Sequence, residues 1–140
     1  MRLSKKGEYA LRALIALARP REKAMTISEI AIQQKLPKKF LEQILLALKA
    51  EGLVRSKAGP KGGYELAEPA RSISVGRILA AVEEPIAHTS KRASRPPAGV
   101  AVIFDEIRQY VRQKLDTVTL QELAEQAVTD EEVEALMWYI

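Results

Sequence analysis

Between Thr26 and Ala50 the sequence holds two helical patterns separated only by Lys35-Leu36-Pro37, a spacing that leaves room for a tight turn and nothing longer. The first pattern opens on Thr26-Ile27-Ser28-Glu29, a capping box in which the threonine oxygen takes one orphan amide and the glutamate reaches back to another. It is expected to run to about Gln34. In the second, Pro37 sits where a first-turn proline is tolerated, and Leu41, Ile44, Leu45 and Leu48 fall on one face as far as about Ala50. The other face carries Lys38, Lys39, Glu42, Gln43 and Lys49, so this helix is oily on one side and equipped for hydrogen bonding on the other. Gly52 is the expected stop.

The neighbouring segments extend the pattern. Leu3, Ala10, Leu14 and Leu17 share a face of a first helix, about residues 4 to 18, closed by Pro20. Leu53–Lys57 and Gly63–Leu66 are short strands around the turn formers Ala58-Gly59-Pro60-Lys61-Gly62, which predicts a hairpin with a basic tip. Ser74 caps a fourth helix carrying Val75, Ile78, Leu79 and Val82. From Pro85 to Gly99 little can be buried, and a mobile loop is expected. After it, Val100, Ile103, Phe104, Ile107, Val111 and Leu115 mark a long helix with more apolar surface than one short domain readily covers. Thr119-Leu120-Gln121-Glu122 and Thr129-Asp130-Glu131-Glu132 read as two further capping boxes, each opening a short helix. The apolar end Met137-Trp138-Tyr139-Ile140 is expected to dock on something.

Composition closes off other classes. With 140 residues and no cysteine, disulfides, thiolate metal sites, cysteine-held clusters and thiol nucleophiles are excluded by counting. A single histidine, His88, excludes a multi-histidine metal centre and reads as a surface residue, so neither a metal nor a cofactor is expected. The longest apolar run is the six residues Ala13–Ala18, whereas a membrane-spanning helix needs about 20. Glu8 and Arg12 interrupt the resemblance of the N-terminus to a secretory signal, and a cytoplasmic chain is expected. Residues 1–85 hold 16 basic and 9 acidic side chains, and 86–140 hold 6 and 9, so the positive charge belongs to the front portion and favours a polyanion partner there. No phosphate loop, nucleophile elbow or dinucleotide fingerprint is present, and an enzyme is not expected.

A capped helix, a tight break, a second amphipathic helix and a glycine-tipped basic hairpin describe a winged helix-turn-helix. The fold class expected is mainly α with a small β-hairpin: a DNA-binding unit over 1–84, a flexible loop over 85–99, and a long dimerisation helix with further helices over 100–140. In such motifs the second helix enters the major groove and the wing touches backbone or minor groove. Lys38, Lys39, Glu42 and Gln43 are the candidate base readers: lysine for phosphates or guanine acceptors, Glu42 for cytosine amino groups, Gln43 for adenine. Arg55, Lys57, Gly59, Lys61, Gly62, Gly63 and Tyr64 are the wing candidates for the DNA backbone, with Arg2, Lys5, Lys6 and Ser28 adding phosphate contacts. Glycines there would let amides and cations approach a phosphate without Cβ interference.

Three stretches make the pattern specific: Phe40-Leu41-Glu42-Gln43-Ile44-Leu45, Lys49-Ala50-Glu51-Gly52-Leu53-Val54-Arg55-Ser56, and Gly59-Pro60-Lys61-Gly62-Gly63-Tyr64-Glu65-Leu66-Ala67. They resemble the recognition-helix-to-wing signature of the Rrf2 family of bacterial transcription regulators, which includes IscR, NsrR and CymR types. Leu3–Leu11 and Ile73–Leu79 are similar too. The resemblance implies a cytoplasmic homodimeric repressor on double-stranded DNA with a palindromic operator, joined through Ile103, Phe104, Ile107, Val111 and Leu115. Much of the family senses through an iron–sulfur cluster held by three cysteines after the fourth helix, and this sequence has none there. The cluster-free CymR types, which respond through an enzyme of cysteine synthesis, are nearest, which implies a metabolic enzyme as co-regulator. The competing reading is a winged-helix protein-interaction module that does not read DNA; steep salt dependence of duplex binding separates the two.

Overall fold

The computed structural model describes residues 3–83 and 96–138, with the side chains at 128–133 left outside the description. Arg2, His88, most of the expected 85–99 loop, and Tyr139 with Ile140 fall outside the described residues. The elements in order are α1 (Lys5–Ala18), α2 (Ile27–Gln34), α3 (Lys38–Ala50), β1 (Val54–Lys57), β2 (Gly63–Leu66), a 3-10 turn (Ala70–Ser72), α4 (Val75–Val82), α5 (Ala98–Thr117) and α6 (Leu120–Met137).

Side-chain oxygens explain where most helices begin. Ser4, Thr26, Ser74 and Thr119 each accept the amide three residues on, and the capping boxes at Thr26/Glu29 and Thr119/Glu122 are complete in both directions. Pro37 lies one position earlier than the sequence suggests, as the N-cap of α3 rather than within its first turn. Its ring supplies no oxygen, so α3 starts without a side-chain cap. The turn between α2 and α3 closes because Lys35 adopts a left-handed conformation, with φ at 54°. Gly52, with φ at 72°, follows the end of α3 as expected.

The core is one continuous cluster. Ala10, Ala13, Leu14 and Leu17 of α1, Ile30 of α2, Leu41, Ile44, Leu45 and Leu48 of α3, and Ile78 and Val82 of α4 meet Leu53, Ile73 and Leu120. Removing such side chains from water is the main force fixing the arrangement. Leu120 sits with the winged-helix residues because the Val75 N–H donates to the Val118 carbonyl and the Leu120 N–H to the Ile73 carbonyl, both at 2.8 Å. Gly76 lets α4 and α5 approach closely, since a Cβ there would collide with Asp116. At the other end of α4, the Ser4 hydroxyl donates to Glu83, tying it to the start of α1.

Three further expectations need correction. Leu3 does not share the buried face of α1: it precedes the helix and is 51% exposed. The long helix begins at Ala98 rather than after Gly99. Thr129-Asp130-Glu131-Glu132 opens no separate helix, because α6 runs unbroken to Met137. No glycine or proline interrupts 120–137, and continuing the backbone ladder satisfies more amides than a new cap would. Met137 and Trp138, at the end expected to dock on something, are exposed, Trp138 at 84%.

Candidate nucleic-acid interface

The face of α3 opposite the core carries Lys38, Lys39, Glu42 and Gln43, and all four are exposed. None of them makes a hydrogen bond or ion pair among the described residues. Their direction is fixed from behind: with Leu41, Ile44, Leu45 and Leu48 buried, the 100° step of the helix turns these side chains outward. The missing cap adds to this, because the first-turn amides of α3 have no side-chain acceptor. Glu42 and Gln43, expected from the sequence to read bases, are accessible.

The wing is a two-stranded antiparallel hairpin in which Arg55 pairs with Glu65 and Lys57 with Gly63. It has a further neighbour that the hydropathy pattern does not reveal. Met25 bridges Tyr64, its N–H donating to the Tyr64 carbonyl at 2.9 Å and its carbonyl accepting from the Tyr64 N–H at 2.6 Å. The wing is therefore anchored to the segment between α1 and α2.

That anchoring accounts for several wing residues structurally. Gly63 has φ at 140°, and a Cβ there would overlap the Met25 carbonyl, so only glycine fits. The Gly62 N–H closes the tip by donating to the Gly59 carbonyl at 2.9 Å. The Tyr64 ring is half-buried against the core. The amides of Gly62 and Tyr64 are thus engaged within the chain, whereas Gly59 and Lys61 stand exposed at the tip.

The wing cations are arranged around a carboxylate. Arg55 Nε donates to Glu65 Oε1 at 2.5 Å, and Lys57 Nζ lies 3.3 Å from Glu65 Oε2. The Arg55 hydrogen bond, followed by the contact with Lys57, holds the Glu65 carboxyl below its ordinary range. Lys49, at the end of α3, donates to Ser56 Oγ at 2.9 Å and so joins the helix to β1. Of the other phosphate candidates, Lys6 and Ser28 are exposed and Lys5 lies 3.4 Å from Glu8. Arg2 is outside the described residues.

Sequence reasoning missed Glu65 as the organiser of the wing cations, the tie between Lys49 and Ser56, and Leu46, which stands 61% exposed on the outer face of α3. The first had a signal: Arg55 and Glu65 lie symmetrically about Pro60, as cross-strand partners must in a hairpin centred there.

Away from the wing, Ile103 and Phe104 of α5 are 56% and 54% exposed, and Val100 and Ile107 are exposed as well. Val111 and Leu115, where α5 approaches α4, are half-buried. The expected stripe is therefore present, and its N-terminal two-thirds face outward.

Comparison with known proteins matches this geometry. A family model, Rrf2, described as an iron-dependent transcriptional regulator, matches residues 3–126. The HTH-type transcriptional regulator CymR of Bacillus subtilis is 36% identical over 141 positions, covering all of both chains. The HTH-type transcriptional regulator IscR of Cereibacter sphaeroides is 40% identical over 104 residues, 71% of this chain and 67% of that one. Among solved structures, CymR of B. subtilis, described as its global cysteine regulator, superposes with a TM-score of 0.76 at 32% identity over 90% of this chain and 98% of that one. IscR of T. potens does so at 0.77 and 29% identity, covering 91% and 88%. Iron in the family description does not fit the donors present here. The sequence has no cysteine, and among the described residues no group of three or more His, Asp or Glu could hold a metal ion.

Proposed function

Since this chain belongs to the Rrf2 family of helix-turn-helix transcriptional regulators, we propose that it acts as a cytoplasmic homodimeric repressor that places α3 in the major groove of a palindromic operator. Members of this family are regulators of transcription, not enzymes. One observation carries the reading: Lys38, Lys39, Glu42 and Gln43 on the outer side of α3 are exposed and make no hydrogen bond or ion pair among the described residues, while the inner face of the helix is locked in the core.

In this reading Lys38 and Lys39 take phosphates or guanine acceptors, Glu42 accepts from cytosine and Gln43 pairs with adenine, each good contact discriminating by about 1–3 kcal/mol. Lys61 and the Arg55, Lys57 and Glu65 group meet the DNA backbone. Their net charge is positive, and Glu65 holds the two cations at fixed positions before DNA arrives. Lys5, Lys6, Ser28 and Arg2 are the further candidates for phosphate contacts in this reading. Gly59, with φ at 101°, allows the turn at the tip, and Gly62, Gly63 and Tyr64 hold the wing in shape.

The homodimer rests on the exposed α5 stripe. Covering Ile103, Phe104 and Ile107 with the same helix of a second copy removes apolar surface from water, and two-fold symmetry sets two reading helices about 34–36 Å apart. The signal proposed is cysteine supply, transmitted by an enzyme of cysteine synthesis as co-regulator. The B. subtilis relative's description as a cysteine regulator supports this, as do the exposed Met137 and Trp138 at the end of α6.

Selection of bound sequences from a random duplex pool tests the proposal, and the expected result is a two-fold symmetric consensus. Replacing Lys38, Lys39 and Lys61 by alanine should weaken binding and reduce the slope of log affinity against log salt by roughly 0.9 for each phosphate that is no longer neutralised. Unchanged slope in the triple variant would place the interface elsewhere.

A further inference from the structure

The outer face of α3 contains one residue whose chemistry does not match its neighbours. Leu46 stands at 61% exposure on a face otherwise made of Lys39, Glu42, Gln43, Lys49 and Ala50. Scattered exposed leucines are common, so exposure alone says little. Position says more. On a wheel of 100° per residue, Lys39 and Leu46 are about 20° apart and point directly away from the centre of Leu41, Ile44, Leu45 and Leu48. Leu46 is thus at the midline of the surface presented outward.

The other large apolar residue on the outside of this helix has a partner within the chain. Phe40, on the flank, sets its ring edge-on against Tyr9 with centroids 5.6 Å apart. Leu46 is not among the side chains packed against the core. Moreover, Lys39, Glu42, Gln43 and Leu46 have the spacing i, i+3, i+4, i+7. A helix lying in the major groove uses that set to reach base edges, as the homeodomain reading helix does.

We propose that Leu46 is a specificity-determining residue that packs against the 5-methyl group of a thymine in each half-site. The inference rests on the reading of α3 as the groove helix. Among the base edges of the major groove only thymine offers an apolar group, and an aliphatic side chain selects it by contact and by excluding water. Leu46 lies about 4.5 Å further along the axis than Gln43, a little over one base-pair step, so its thymine is adjacent to the base pair that Gln43 reads. A leucine has no hydrogen bond to offer at that depth. It therefore disfavours a base pair that presents only polar edges there.

Deoxyuridine, which lacks only the methyl group, provides the test. A duplex taken from the wild-type selection is prepared with single thymines replaced in turn by deoxyuridine, and affinities are measured for wild type, Leu46→Ala and Leu46→Met. For wild type, one thymine in each half-site should lose about fourfold in affinity on replacement, the equivalent of one buried methyl. Leu46→Ala should lose that sensitivity at that thymine alone, with an unchanged salt slope, and Leu46→Met should retain it. Matching circular dichroism and melting curves for the three proteins exclude a folding effect, as expected for an exposed position. The inference is overturned if the selected half-sites contain no thymine, or if the deoxyuridine penalty is the same in wild type and Leu46→Ala. Failure of the wild type to enrich any duplex is a different result, which removes the groove reading and this inference with it.

Discussion

Helices α3 and α5 have the same kind of amphipathic pattern and opposite fates. In α3, Leu41, Ile44, Leu45 and Leu48 are all sealed in the core, and the polar residues face out. In α5, no residue is fully buried, and Ile103, Phe104 and Ile107 remain on the surface. The cause lies in their surroundings. α3 is enclosed by α1, α2, α4 and β1, while α5 leans on α4. A stripe of apolar residues states that a helix must be covered, but not by what. For α3 the cover is its own chain; for α5 the proposal is a second copy.

The contrast can be broken most sharply by cutting into each stripe. Leu48→Ala removes a fully buried side chain and should lower unfolding free energy by about 2–5 kcal/mol, read from denaturant melts. A change below about 1 kcal/mol would mean that α3 is not held by the core as described. The paired substitution Ile103→Glu and Ile107→Glu should do the reverse. Secondary structure is expected to be kept, light scattering should report a mass near 15.6 kDa instead of twice that value, and operator binding should fall steeply. A wild-type protein that already scatters as a monomer would remove the reason for that comparison.

A smaller effect refines the polar side. Glu65 has a folded-state pKa below its ordinary value because of Arg55 and Lys57, so its stabilising contribution is present above the unfolded-state pKa and fades as pH falls through the folded one. Glu65→Gln should therefore be slightly less stable than wild type at neutral pH. The difference should vanish in strongly acidic solution, as followed by thermal melts across that range. A gap that persists in acid would assign the role of Glu65 to packing instead of charge.

Much of this was legible in the sequence because it is local. The capping oxygens at Thr26 and Thr119, the stop at Gly52 and the inner face of α3 depend on residues within one or two helical turns, and short-range geometry decides them. The second capping box failed for the same reason: Thr129 and Glu132 have the right spacing, but a cap competes with the helix already arriving from Leu120. The candidate base readers were legible as the complement of a buried stripe. The hold of Met25 on Tyr64, the grip of Glu65 on two cations, and the partnership of Lys49 with Ser56 were not, since each joins residues through the folded chain.

The sequence by itself determined the first four helices, the hairpin, the absence of thiol chemistry and the set of side chains that α3 turns away from its apolar face, because periodicity and composition act within a segment. Only the tertiary structure decided that Gly63 is fixed by Met25, that Leu120 enters the core of the front portion, and that its own chain leaves Ile103, Phe104 and Ile107 of α5 exposed. Those outcomes depend on which distant surfaces meet, and burial is a property of the pair of surfaces rather than of either one.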